Sequence, residues 1–352
     1  MKFLPLVLLA ALAGTNLAEE PPTPKTTPTP LPTPVPTLTE NVDSLDESQI
    51  QKAIEAMEAN YLSPEALDNT SRQKALLEGL LRRLSAGAEL NQAAQANSKP
   101  VPFLAEILDG RIGYIRPGTM DPAALKQTDS ALGNFADKTI PALILDLRGV
   151  PSGTEFDMAA DFARRFCPKG KILFTIEKPN AKQERILTAD RDAVFQGILV
   201  VLTDADTAGA AEALAATLRA NSDAMIVGWK TAGRAVEFSE FPIGGGKTIH
   251  LAVSRVSLPG RGAIFPSGVK PDIEVGLPPE TQKKIFELTK EKGISQFVFD
   301  VERPRMNEAA LVANTNPEIA ENSDSEEQEE ELRDTVLQRA VDLITAISFY
   351  KK

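Results

Sequence analysis

The sequence predicts an α/β protein, with a small helical subdomain ahead of the core and a helix at its C-terminal end. Three observations carry this expectation. From Arg111 onward, strand-like apolar runs alternate with segments of helical periodicity, the pattern of α/β architecture. Two of those runs, ALILDL at 142–147 and GILVVL at 197–202, are nearly continuously apolar, as strands buried on both faces are. Residues 43–84 instead place Ile50, Ile54, Met57 and Tyr61, and then Leu76, Leu77, Leu80, Leu81 and Leu84, at helical spacing.

The elements follow in chain order. Residues 1–18 read as an export signal: Lys2 is a short basic start, residues 3–12 are apolar, and small residues at Ala13 and Ala18 offer cleavage points. The apolar run is too short for a comfortable helical membrane span, and no Cys lies near it to take a lipid. No stable membrane span is expected elsewhere, so the predicted location is secreted, periplasmic or cell-envelope. Residues 19–42 form a Pro/Thr-rich linker. Proline fixes φ and lacks an N–H, so PPTPKTTPTPLPTPVP favours extended polyproline II and builds no core.

The N-terminal helical subdomain is expected over 43–100. Ser44 and Glu47 have capping-box spacing, Pro64 opens a second helix, and 86–102 is a polar connection. The core is expected over 101–280. Its predicted strands are 111–116, 139–147, 171–177, 197–203 and 224–228, with a hairpin of 235–241 and 247–256 around Gly244-Gly245-Gly246. Its predicted helices are 121–136, 155–166 and 207–220. A C-terminal extension over 281–352 holds an acidic run at 314–331, read as a solvated loop, and then Leu337, Val341, Ile344 and Ile347 on one helix face.

Composition limits the chemistry. The 352 residues carry a net charge of −11, one His and one Cys. A lone Cys excludes an internal disulfide, and one Cys with one His excludes a Cys/His zinc cluster. The acidic balance argues against a nucleic-acid partner, because phosphate binding needs a basic surface. No cofactor and no metal are expected. Asp204, Asp206 and Glu212 are read as helix-start carboxylates favoured by the macrodipole. Thr207 or Asp206 is read as the cap of the helix that follows. His250, within KTIHLAVSRV, has no neighbour in sequence to make it catalytic. Cys167 reads as a small buried hydrophobe, and Lys230 as a surface residue.

Three segments in order resemble the tail-specific, or C-terminal-processing, serine peptidases. GRIGYIRPG at 110–118 is similar to the strand opening that family's core. LILDLRGVPSG at 143–153 is similar to LILDLRxNPGG. VVLTDADTAGAAEALAATL, IVGWKTAGRAVEF and VSRVSLPGRGAIFPSGVKPDIEV parallel its VLVNxxSASASEI, VVGExTFGKGxVQ and TPxGxxIxxxGIxPDxxV segments. The resemblance implies a crotonase-like peptidase core of mixed sheet and helices.

The same resemblance exposes two departures. Family members usually carry a PDZ domain between the helices and the core, and the stretch from Leu84 to Arg111 leaves no room for one. The family's nucleophilic Ser precedes A-[SA]-E; here Gly209 precedes Ala210-Ala211-Glu212. The family's general-base Lys falls at Arg234, and its supporting Gln at Phe238. Glycine has no nucleophile. A dyad Lys works by becoming neutral, whereas Arg stays protonated in proteins and cannot accept the proton. Gly149, Gly153 and Ala210 fall in what resembles the oxyanion region, and Arg234 is a candidate for gripping a peptide carboxylate. Thr207 is the nearest substitute nucleophile, and Ser222 lies at the far end of the same helix. The expectation is an exported, catalytically inactive relative that binds a peptide or unfolded segment. A peptidase with rewired residues and a structural protein that forms homodimers are the alternatives.

Overall fold

The computed structural model describes residues 38–92, 101–151, 153–298 and 332–350. The predicted export signal, most of the Pro-rich linker and the acidic run lie outside the described residues. The chain divides into two compact units, one ending at Gln73 and the other beginning at Lys74.

The first unit holds α1 (Leu38–Asp43), α2 (Glu47–Asn60) and the start of α3 (Asn69–Leu84). The capping box is not Ser44 with Glu47. Asp46 caps α2, accepting the Gln49 N–H, while the Gln49 side chain accepts the Asp46 N–H, both at 2.9 Å. The Ser44 hydroxyl instead donates to the Asn41 carbonyl at 2.7 Å, closing α1. Asp is as good a cap as Ser, and the register that places Gln49 at N3 wins. Pro64 opens only a single 3₁₀ turn, Pro64–Leu67, and α3 starts five residues later. The predicted apolar face of α2 exists, but Ile50, Ile54, Met57 and Tyr61 are 38–55 % exposed.

The second unit contains two six-stranded sheets. One runs β12 (Ile273–Glu274), β8 (Met225–Gly228), β7 (Ile198–Thr203), β4 (Ala142–Asp146), β3 (Ile112–Arg116), β2 (Leu104–Leu108). Its neighbours pair in parallel except for β2, which is antiparallel to β3. The residues of β3 and β4 are all buried, largely apolar but ending in the charged Arg116 and Asp146. The other sheet is built on the long β10 (Lys247–Leu258), which pairs with β1 (Ala88–Gln92), β5 (Ile172–Lys178), β9 (Val236–Gly244) and β11 (Gly262–Ala263); β6 (Gln183–Thr188) extends it from β5.

Helices α4 (Pro122–Asp137), α5 (Phe156–Ala163) and α6 (Ala210–Asn221) share one core with β5 and the alternate residues Leu143, Leu145, Leu199 and Val201. The opposite face of the parallel sheet, with Ile144, Val200 and Leu202, packs under α7 (Pro279–Lys292) and α8 (Thr335–Tyr350). The terminal helix is where Leu337, Val341 and Ile344 predict it, and all three are buried.

Several expectations need correcting. The stretch 86–102 is not only a connection: residues 88–92 form β1, held by antiparallel pairing to β10. Strands β2 and β6 and helix α7 went unanticipated. The periodicity of β6 is masked because most of its residues are exposed, and α7 is rich in Lys and Glu, with only Ile285, Phe286 and Thr289 buried.

One buried ionic cluster ties the C-terminal helix to the sheet. Arg148 donates from Nε and Nη2 to Asp146 at 2.9 and 2.7 Å, and from Nη1 and Nη2 to Asp334 at 3.0 and 2.8 Å. All three side chains are fully buried. Burial works against the guanidinium charge, but Asp146 and Asp334 outweigh it and hold Arg148 firmly protonated. The Tyr114 hydroxyl donates to Asp146 at 2.8 Å, and burial together with that carboxylate pushes its ionisation well above the usual tyrosine range.

Cys167 is buried, as its sequence context predicts, with its Sγ 3.4 Å from the Ser222 hydroxyl. Burial pushes the thiol up to about 11. Thiolate is the reactive form, so iodoacetamide at pH 8 is expected to leave Cys167 unmodified in the native protein and to label it fully in urea. Mass spectrometry reads the difference; rapid native labelling would contradict this burial.

Candidate functional site

The site is assembled around a carboxylate that lies in the first turn of α6. Glu212 is fully buried. Its Oε1 accepts from the Thr231 hydroxyl at 2.5 Å and the Gly233 N–H at 2.6 Å; its Oε2 accepts from the Arg234 N–H at 2.7 Å and the Gly209 N–H at 3.1 Å. Thr231 passes the chain of bonds on, accepting the Val269 N–H at 2.8 Å. Gly209 and Arg234, 25 positions apart in sequence, therefore share one carboxylate oxygen through their backbones. The Thr207 carbonyl adds a second tie, accepting the Ala232 N–H at 3.0 Å.

Gly209 caps α6 with φ +60° and ψ −121°, a conformation open essentially to glycine alone. Its Cα faces the Gly153 backbone so closely that a Cβ there would overlap the Gly153 carbonyl oxygen. That same oxygen accepts the Ala210 N–H at 2.9 Å. The Ala210 donor and the space beside Gly209 are thus both filled by the chain itself. Gly153 meets Gly209 and Ala210. Gly149 points elsewhere: at φ +69°, a Cβ on it would lie 2.8 Å from Val101 Cγ2 and 3.1 Å from Phe286 Cε2.

Arg234 is one-third exposed and pairs with Glu89 of β1, Nη2 to Oε1 at 2.5 Å. Its Cζ lies 5.3 Å from the centre of the Phe238 ring, a cation–π arrangement. The residue expected to grip a peptide carboxylate therefore already holds a carboxylate of its own chain. Arg234 Nε is buried without a hydrogen-bond partner among the described residues. Phe238 supplies the face on which the guanidinium rests.

Thr207 and Asp206 do not cap α6, which begins three residues later than predicted, after Gly209. Thr207 is fully buried, and its hydroxyl donates to Asp204 Oδ1 at 2.7 Å while accepting the Asp204 N–H at 3.0 Å. The second Asp204 oxygen accepts from Gln282 Nε2 at 2.8 Å. Asp204 closes a turn and Glu212 binds backbone donors, so the two carboxylates are separately committed. His250 has a partner after all: Nε2 lies 3.4 Å from Glu240 Oε1 across the β9–β10 ladder, where the two are register partners. Register is a tertiary property, which is why the local sequence hid it. Ser222 sits at the C-terminal end of α6, its hydroxyl donating to the Phe166 carbonyl at 2.8 Å, away from Gly209. Lys230 is exposed. Sequence reasoning missed Glu89 and Thr231 altogether: nothing local marks residues whose partners, Arg234 for Glu89 and Glu212 for Thr231, lie on other elements.

A parallel sheet flanked by helices, with a glycine-capped helix and a facing loop joined by a buried Glu, defines an α/β peptidase-type core. Residues 111–275 match the model of peptidase family S41, so this core is similar to that family. Among curated relatives, the carboxyl-terminal-processing protease of Synechocystis sp. is 30% identical over 233 residues, covering 64% of this chain and 54% of that protein. The carboxy-terminal processing protease CtpA of Bacillus subtilis is 28% identical over 219 residues, covering 60% and 46%. The chain thus spans about half the length of the curated relatives it matches. Among solved structures, a photosystem II D1 C-terminal processing protease aligns with a TM-score of 0.44 at 22% identity, over 57% of this chain and 55% of that one. No described helix is long and apolar enough to cross a membrane.

Proposed function

We propose that this chain is an exported peptidase-family protein that has lost the Ser/Lys dyad and acts by binding a peptide or an unfolded protein segment. One observation carries the reading: the backbone at Gly209 is adapted to glycine, with the Gly153 carbonyl occupying the space a nucleophile's side chain would need. The Arg234 pairing supports it, because a guanidinium held by Glu89 and resting on Phe238 neither accepts a proton nor vacates its place easily. Thr207 offers no replacement, since a nucleophile must reach substrate and its hydroxyl is buried and tied to Asp204. Export rests on the N-terminal pattern and is read by sequencing the mature N-terminus after expression in a bacterial host.

The test is turnover. The purified chain is expected to leave an unstructured peptide intact and to take no label from a fluorophosphonate probe. Turnover abolished by Thr207→Ala would overturn the proposal. Restoring the missing residues is also expected to fail: Gly209→Ser with Arg234→Lys gains no activity, because the new Cβ meets the Gly153 carbonyl. Gly209→Ser alone is expected to cost about 1–3 kcal/mol of stability, read by urea denaturation.

A second reading, assembly into homodimers, is favoured by the apolar residues of α2, which stay 38–55 % exposed. Light scattering on the eluting protein checks it; a strict monomer at micromolar concentration would count against it.

A further inference from the structure

We infer that the leucine face of α3 lies on a lipid surface bearing anionic headgroups, with Lys74 and Arg83 meeting those headgroups at the edges of the face. The inference concerns α3 rather than the Gly209 site and stands independently of peptide binding.

Three observations lead there. First, α3 is amphipathic but unburied. At ~100° per residue, Leu76, Leu77, Leu80, Leu81 and Leu84 fall within an arc of about 140°. Leu76, Leu77, Leu80 and Leu84 are 39–63 % exposed, and none of the helix's 16 residues is buried. Most of a helix's stability comes from packing such a face, so α3 leaves its stabilising surface in water.

Second, the charge on the helix is one-sided. It carries Arg72, Lys74, Arg82 and Arg83 against Glu78 alone. Arg82 turns to Glu78 on the polar side, Nη2 to Oε1 at 2.8 Å. By the same angular step, Arg83 falls about 20° outside Leu76, and Lys74 about 20° outside Leu81. Both borders of the leucine arc are therefore cationic. Long cationic side chains at such borders reach up to headgroups while the apolar face enters the acyl boundary, which is how interfacial helices bind. The chain as a whole is acidic, at −11. At physiological ionic strength, however, exposed charges are screened beyond about 8 Å, so the charges on the helix itself set the attraction.

Third, the composition of the face separates lipid from protein. It is made of leucine, with no aromatic residue, whereas protein interfaces are anchored by Trp, Tyr and Arg, and Leu is under-represented among the anchors. A second α3 is a poor partner as well, because four bases against one acid bring like charges together when the two faces meet. At 16 residues, with charges along its length, α3 is too short and too polar to cross a bilayer. It lies in the plane of the interface instead.

The experiment floats the full chain with vesicles of phosphatidylcholine and phosphatidylglycerol in equal parts, beside vesicles of phosphatidylcholine alone, in about 0.15 M salt. At least about tenfold more protein is expected to float with the anionic vesicles. Leu76→Gln with Leu80→Gln is expected to abolish that binding, and Lys74→Gln with Arg83→Gln to weaken it at least about tenfold. Thermal melting confirms that both variants are folded. The N-terminal apolar run is common to all three proteins, so the difference between them reports on α3. Flotation unchanged by the leucine substitutions would overturn the inference, as would equal flotation with neutral vesicles. No flotation with anionic vesicles would overturn it too; if the leucine substitutions then turn a dimer into a monomer by light scattering, the face belongs to a second copy. The turnover assay judges the functional reading separately.

Discussion

Replacing Glu212 by Ala is expected to destabilise the core by roughly 3–5 kcal/mol, the range for removing one partner of a buried charge-assisted network. The cost comes from what is left behind. Gly209, Gly233 and Arg234 would each keep a backbone N–H facing a cavity, and the Thr231 hydroxyl would lose its acceptor. Each buried unsatisfied donor costs about 1–3 kcal/mol before relaxation. Glu212→Gln keeps the volume but turns an NH₂ toward N–H groups, so it is also expected to destabilise, by less. Urea denaturation of the wild type and both variants reads the ladder. A Glu212→Ala loss below about 1 kcal/mol would mean that these loops hold their geometry without the carboxylate. Hydrogen exchange adds a local reading: the Gly233 and Arg234 amides are expected to lose protection in Glu212→Ala before the strands of the parallel sheet do.

Cutting the Arg148 cluster should be comparably severe. Arg148→Ala leaves Asp146 and Asp334 buried without the cation between them, and a loss of about 3–5 kcal/mol is expected. Asp334→Ala is milder in total but local in effect. Arg148 keeps Asp146, whereas α8 loses both its tie to the sheet and the Asp334 oxygen that accepts the Leu337 N–H at 3.0 Å. Limited proteolysis is expected to release the α8 segment from Asp334→Ala while the rest of the core resists. The double change Arg148→Met with Asp334→Leu is expected to recover part of the loss seen on removing Arg148 alone, because it leaves one buried carboxylate, Asp146, without the cation instead of two. Additive losses in that cycle would contradict the coupling the geometry implies.

Both predictions rest on residues whose importance is only partly legible in sequence. Glu212 is visible as a first-turn carboxylate. That it reaches Thr231, Gly233 and Arg234 follows only when α6 and the loop after β8 are folded against each other. Asp334 borders a segment read as an acidic, solvated loop, and nothing nearby in sequence announces that it is fully buried beside Arg148. Glu89 stands in a stretch that reads as a polar connection, because a five-residue strand is held by its partner β10 rather than by its own pattern. The cap of α6 was misplaced for a related reason. Thr207 and Asp206 have cap-forming side chains, but Asp204 engages Thr207, and the helix begins where Gly209 can adopt its positive φ.

The sequence by itself determined the α/β class, the buried parallel strands and the terminal helix. Those are matters of periodicity and spacing, which local side-chain chemistry enforces. Only the tertiary structure decided what surrounds Gly209 and Arg234: the Gly153 carbonyl in the space beside the one and the Glu89 carboxylate on the other. Each of these depends on groups far apart in the chain meeting at a few ångströms, and spacing along a sequence carries no information about such contacts until the sheets have paired and the helices have packed.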